Sequence, residues 1–200
     1  MIIGAIVLAA GRSTRMGSNK LTADLGGKPV VAHVVDAIAA AGLPVPIVVT
    51  GYDAPAVEAV LADREARFVH ATDHASGLSR SLAAGVLATP AEWDGVIICL
   101  GDMPMIRAAL LRKLADRAVS GAIVVPCRNG RRGNPVLWTR PYFEQLLILQ
   151  GDVGGKALIE AAAASVIQVE CEDEGALIDA DTPAALAELR AKYSEMDIKR

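Results

Sequence analysis

The sequence predicts an α/β fold, a mostly parallel sheet with helices on both faces, from three observations. Strand-like and helix-like segments alternate from end to end. The leading strand candidate is a continuous apolar run, as expected of a strand covered on both sides. The composition is 52% hydrophobic but only 4% aromatic, so packing rests on Ala, Val, Leu and Ile, which suit helices laid on buried strands.

Ile2–Leu8 is that first run, and Val30–Ala41 has helical length and spacing with Pro29 as its start signal. Ile47–Thr50 and Phe68–Val69 are short strands around a helix near Pro55–Leu61. Ser79–Leu87 reads as a helix, Gly95–Leu100 as a buried strand, Arg107–Val119 as an amphipathic helix and Ala122–Pro126 as a strand. The regularity fades after Pro126. Asn129–Asn134, dense in Gly, Asn and Arg, followed by Pro135–Trp138, predicts a hairpin or an irregular loop. Helices are expected at Tyr142–Leu149 and Lys156–Ala163, a strand at Val166–Val169, and a last helix from Pro183 to about Lys192. There is no internal repeat or low-complexity linker, so residues 1–193 are expected to form one domain and 194–200 a polar, frayed tail.

A chain of 200 residues can bury a substantial core. The formal net charge is −3 without a long basic block, which argues against nucleic acid as a partner. No apolar run approaches the roughly 18 residues of a membrane span, and Met1–Leu8 lacks a basic leader. The expectation is a cytoplasmic protein with no membrane association. Cys99, Cys127 and Cys171 are widely spaced and form no C-x-x-C pair, so they read as reduced structural thiols. His33 sits among Ala and Val in a helical pattern and reads as structural, and His70 and His74 near Asp73 are weak grounds for zinc.

The most informative stretch is LAAGRSTRMGSNK, Leu8–Lys20. It follows a buried strand, at the edge of a parallel sheet where open α/β folds bind ligands. Ala9, Ala10 and Gly11 have small or absent side chains, which lets a ligand reach the backbone N–H groups. Arg12, Arg15 and Lys20 then concentrate positive charge in an acidic protein. A triphosphate carries about four negative charges and matches such donors. Neither G-x-x-x-x-G-K-[ST] nor G-x-G-x-x-G occurs here, against both a P-loop ATPase and a dinucleotide dehydrogenase. LGDMP, Leu100–Pro104, places Gly101 and Asp102 just past another strand. A carboxylate there suits Mg²⁺, or caps the helix near Arg107. GYDAPAVEAVL begins at Gly51. GLSRSLAAG, Gly77–Gly85, offers Ser79 and Ser81, which either contact a base or ribose or cap a helix. DADTPAAL, from Asp179, sets Asp181 and Thr182 before a helix that either could cap.

With these five strings in the family's order and spacing along the chain, from Leu8 through Gly51, Gly77 and Leu100 to Asp179, the chain from about residue 2 to 190 resembles the molybdenum cofactor cytidylyltransferases. They fall within the nucleotidyltransferase family that also contains the molybdenum cofactor guanylyltransferases. The resemblance implies a Rossmann-like nucleotidyltransferase sheet. It implies Mg²⁺ held by Asp102 with Asp181 (Asp179 the lesser candidate), and catalysis through Arg15, Lys20 and Asp102. The nucleotide would lie on Leu8, Ala9, Ala10, Gly11, Arg12, Lys20, Ser79, Ser81 and Gly101. The LAAG spelling points to CTP. GRRGN and GDVGGK would face the acceptor, with Arg131, Arg132, Asn134 and Lys156 holding its phosphate. Many relatives have His where Asn134 stands.

The implied reaction transfers CMP from CTP to the phosphate of molybdopterin, releasing pyrophosphate, and a molybdoenzyme client would receive the product. A related transferase would use GTP or a sugar or alditol phosphate acceptor. A non-catalytic escort for the molybdenum cofactor is the rival from outside enzymology.

Overall fold

The structure, a computed structural model, describes residues 1–12, 19–151, 154–171, 175–178, 180 and 182–198. The chain opens on β1 (Ile3–Ala9), a small hairpin of β2 (Asp24–Leu25) and β3 (Lys28–Pro29), and α1 (Val30–Ala40). β4 (Ile47–Thr50), α2 (Ala54–Val60), β5 (Arg67–His70), α3 (Leu78–Leu87) and β6 (Gly95–Leu100) follow. Next come α4 (Ala108–Asp116), β7 (Ile123–Arg128), β8 (Arg131–Arg132) and β9 (Val136–Thr139). α5 (Phe143–Leu147), α6 (Lys156–Ala161), β10 (Val166–Glu170) and α7 (Pro183–Ile198) complete it.

The main sheet runs β10-β7-β9-β6-β1-β4-β5, with β8 paired to β7. β1 is parallel to both β4 and β6, and the chain leaves β1 toward β4 and β5 before returning to β6 on the other side. That reversal opens a crevice at the carboxyl ends of β1, β4 and β6, where doubly wound sheets bind ligands.

Both faces of β1 are buried, which explains its unbroken apolar sequence. Ile3, Ala5, Val7 and Ala9 pack with Val31, Val35 and Ile38 of α1 and Leu111 and Leu114 of α4. Ile6 and Leu8 face the opposite layer, with Leu82 and Val86 of α3 and Leu146 of α5. Burying each such side chain stabilises by about 1.5–3 kcal/mol before chain entropy is counted. Cys99, Cys127 and Cys171 are buried free thiols, and burial pushes Cys99 up to about 12.

The structure departs from expectation in three places. After Pro126 the chain forms the expected hairpin, with a tight β7–β8 turn at Asn129 (φ 50°) and Gly130 (φ 76°), but it then departs from the sequence pattern by inserting β9 in the middle of the sheet. β9 runs antiparallel to both β6 and β7, with all four residues buried. Second, Gly26 and Gly27 (φ 61° and 80°) turn the β2–β3 hairpin, which packs under α7. Leu25, Val30, Ala180, Leu186 and Leu189 form the shared satellite core. His33 is structural there: its Nε2 bonds the Leu25 carbonyl at 2.8 Å, and its ring meets Tyr193 edge-on at 5.1 Å. Third, α7 continues to Ile198 instead of fraying after Lys192, since no Gly or Pro interrupts it. Among the described residues no helix is long and apolar enough to cross a membrane.

Candidate functional site

Three strand exits meet in the crevice: Ala10–Arg12 after β1, Gly51–Asp53 after β4, and Gly101–Asp102 after β6. They are joined through the backbone. Gly101 N–H donates to the Leu8 carbonyl at 3.0 Å and Tyr52 N–H to the Ala10 carbonyl at 3.4 Å. Gly51 is small of necessity, since a Cβ there would lie 2.7 Å from the Ala10 Cβ.

Lys20 opens a short 3-10 turn, Lys20–Thr22, capped by Asn19, whose Oδ1 accepts from Leu21 N–H at 3.1 Å. From this turn the Lys20 ammonium donates to Asp102 Oδ2, and each side chain is only 15% exposed. The Asp102 carbonyl accepts from Ala180 N–H at 2.9 Å, which brings Ala180 to the β6 exit. Asp102 is no helix cap, because Arg107 precedes α4 and no side chain caps it. Thr182 caps α7 through its Oγ1, 3.1 Å from Ala185 N. Arg15, Asp179 and Asp181 lie outside the described residues.

A cavity of about 790 Å³ opens over these exits. Leu8, Ala10, Gly11, Arg12, Lys20 and Asp102 line one side, and the 74–78 segment with Ser81 lines the other. Gly77, at φ 109°, introduces α3 without a side-chain cap, so neither Ser79 nor Ser81 serves as that cap. Ser81 reaches the cavity. Ser79 is fully buried behind it, its N–H 3.3 Å from the Gly151 carbonyl. Ala9 points into the α1 layer, and Gly101 forms the turn beneath the cavity without lining it. His74, which does line it, is tied by Nδ1 to the Ala71 carbonyl at 2.9 Å and meets His70 ring to edge.

A second cavity, about 770 Å³, shares Leu8, Leu78 and Leu100 with the first. Its floor is apolar, with Trp138, Leu82, Ile98 and Val136, while exposed Arg132 and Lys156 stand at its edge with Asn134. Gln168 and Glu160 complete the polar lining. Arg131 projects from β8 into solvent and does not line it. Two glycines shape this cavity. A Cβ on Gly155 would sit 2.2 Å from the Trp138 ring, and one on Gly133 would sit 2.2 Å from the Ala176 carbonyl.

Among the described residues no three His, Cys, Asp or Glu side chains gather into a metal-holding group, and Asp102 is the one carboxylate lining the first cavity. That donor set suits Mg²⁺, which takes one or two carboxylates and completes its shell with phosphate oxygens and water. It does not suit zinc, which needs three or four protein ligands rich in N and S.

Sequence reading overlooked several residues here. Tyr52 and Asp53 lie inside the GYDAP string and Asn19 immediately precedes Lys20, positions whose roles depend on tertiary neighbours rather than on local pattern. The Arg12 guanidinium lies 5.6 Å over the Tyr52 ring, and Asp53 Oδ2 accepts from Asn19 Nδ2 at 3.0 Å. Trp138 carried no signal, being one apolar residue in a short strand.

The fold is shared with known proteins. The model of the MobA-like NTP transferase domain matches residues 5–166. A nucleotidyl transferase from Methanothermobacter thermautotroptrophicus superposes with a TM-score of 0.86 at 27% identity, covering 98% of this chain and 99% of that one. Rv0371C from Mycobacterium tuberculosis H37Rv, in complex with manganese, superposes with a TM-score of 0.83 at 26% identity over 96% and 99% of the two chains. The bifunctional protein GlmU of Sinorhizobium fredii is 36% identical over 124 residues, 60% of this chain. The chain spans only 27% of that relative's length. A crevice of this build, on this sheet and in this company, places the chain in the MobA-like NTP transferase domain family, as a nucleotidyltransferase.

Proposed function

We propose that the chain transfers a nucleotidyl group from a nucleoside triphosphate in the first cavity to the phosphate of a small acceptor in the second. The observation that carries this reading is the junction of the two cavities along Leu8, Leu78 and Leu100, with the Lys20–Asp102 pair in the wall of the first. An acceptor phosphate oxygen attacks the α-phosphorus in line, the α–β bridging P–O bond breaks, and pyrophosphate leaves. Such chemistry depends on position and charge more than on a protein base. Arg12, Arg15 and Lys20 bind the departing phosphates; Arg132, Asn134 and Lys156 hold the acceptor, with Arg131 flanking them. Asp102 with Asp181 would hold a divalent ion, which neutralises phosphate charge when bound. The manganese in the mycobacterial relative is in keeping with that assignment.

For the substrates, LAAG at Leu8–Gly11 supports CTP, and the resemblance supports molybdopterin. The comparisons favour a broader reading, in which the donor is open and the acceptor is a sugar or alditol phosphate. The relatives from Sinorhizobium fredii and Agrobacterium fabrum, each 36% identical, are GlmU proteins. Pyrophosphate release across CTP, GTP, ATP and UTP, with molybdopterin and a panel of sugar and alditol phosphates, separates the readings. CTP is expected to outpace GTP by at least about tenfold, roughly 1.4 kcal/mol in transition-state binding. Equal rates, or a GTP preference, would remove the cytidylyl assignment. Turnover with a sugar or alditol phosphate but not with molybdopterin would establish the broader reading.

A further inference from the structure

Asp53 precedes α2, where an Asp ordinarily turns its carboxylate onto the N–H groups of its own helix. It makes no such cap; its Oδ2 accepts from Asn19 Nδ2 at 3.0 Å. The other end of the Asn19 amide, Oδ1, caps the turn that carries Lys20. Beside Asp53, Tyr52 lies beneath Arg12 and donates its N–H to the Ala10 carbonyl. Both ends of the 12–19 stretch are thus fastened to the β4 exit, one by a cation–π contact and one by an amide–carboxylate bond. A series of links, Asp53 to Asn19 by a hydrogen bond, Asn19 to the Lys20 turn through its cap on Leu21 N–H, and Lys20 to Asp102 by an ion pair, then spans the exits of β4, β1 and β6.

On the nucleotidyl-transfer reading above, we infer that Asn19 and Asp53 are positioning residues that set Lys20 in register with the triphosphate and Asp102. Lysine has a long, flexible stem, so its ammonium is placed only as well as its backbone is held. A displacement of about 1 Å is enough to cost a large rate factor in a reaction that depends on alignment. The Asn19 amide is suited to this because it donates and accepts at once, fixing the turn and its anchor with one planar group.

Exchange of the two side chains tests the inference. Asn19→Asp sets two carboxylates face to face, and Asp53→Ala removes the acceptor. The pair Asn19→Asp with Asp53→Asn restores the bond with donor and acceptor reversed, keeps the net charge, and leaves Asp at 19 able to accept from Leu21 N–H. Each single change is expected to lower kcat/KM for the triphosphate by about tenfold, and the exchange to recover it to within about threefold. An exchange no better than Asn19→Asp alone overturns the inference. So do single variants whose Tm falls while kcat/KM holds, since that describes a brace for the fold alone. If the wild-type protein releases no pyrophosphate, the proposed function fails by itself. The bracket is then read from calorimetric affinity for inorganic tripolyphosphate, where weakening in the singles and recovery in the exchange support it and a flat series overturns it.

Discussion

On the proposed reading, a carboxylate in a crevice that takes a triphosphate would repel its ligand at close range. Asp102 stands there nonetheless, with Lys20 bonded to it and both side chains only 15% exposed. The ion pair offsets that charge in the wall, and on the proposed reading it holds one group for a divalent ion and one for phosphate. Asp102→Asn preserves shape and removes the charge. Turnover should fall by about two orders of magnitude or more, roughly 3 kcal/mol, and the Mg²⁺ requirement should move upward in a metal titration. Tm should change little, because the bond from Ala180 N–H goes to the backbone carbonyl of Asp102 and survives. Lys20→Ala should slow turnover without moving the metal titration. Near-normal turnover of Asp102→Asn with an unchanged Mg²⁺ curve would reduce Asp102 to a partner for Lys20. Lys20 and Asp102 were legible in the sequence because Asp102 directly follows an apolar strand and Lys20 closes the cation-rich loop after another. Asn19 and Asp53 were not, because their bond depends on β1 and β4 being neighbours, which no local pattern records.

Elements with two buried faces were the easiest to read. β1, β4 and β6 fall within a residue of their expected bounds because unbroken apolar runs leave few alternatives. β9 was obscured because a four-residue strand after a proline resembles a loop, and only its pairing with β6 and β7 defines it. The β2–β3 hairpin escaped notice although its Gly26–Gly27 turn was in plain sight. One tie between elements gives a pH test. Asp36 of α1 bonds Arg64, beyond α2, at 2.7 Å and Lys28 of β3 at 2.8 Å. Burial works to raise the Asp36 pKa, but hydrogen bonds and charge from Arg64 and Lys28 outweigh it and hold the carboxyl below its usual range. A carboxylate depressed in the folded state adds stability above its unfolded pKa, near 3.9, and loses it as pH falls through the folded value. Asp36→Asn should therefore cost up to about 1 kcal/mol at pH 7, the group being partly exposed. Urea unfolding at pH 7 and at pH 3 checks this: the gap between wild type and variant should shrink at the lower pH, and a gap that widens would contradict the sign.

At the scale of the molecule, the sheet divides labour. Parallel strands β1, β4 and β6 supply the first cavity from their exits, whereas the antiparallel insertion β8–β9 with α6 supplies Arg132, Trp138 and Lys156 to the second. The parallel part is the portion that sequence pattern reveals, and on the proposed reading the insertion is the portion that would distinguish one acceptor from another. If the division holds, the two halves should respond separately to substitution. Arg132→Ala and Lys156→Ala each remove an exposed cation from the second cavity while leaving Lys20, Asp102 and Arg12 untouched. Each should raise the KM for the acceptor by about tenfold, near the lower end of what a charge-assisted hydrogen bond contributes. The dissociation constant for the triphosphate, measured by calorimetry without acceptor, should stay within about twofold. Arg12→Ala should show the reverse, weakening the triphosphate and sparing the acceptor KM. Should Lys156→Ala weaken the triphosphate as strongly as Arg12→Ala does, the two cavities serve one substrate, and the acceptor must enter elsewhere along the crevice.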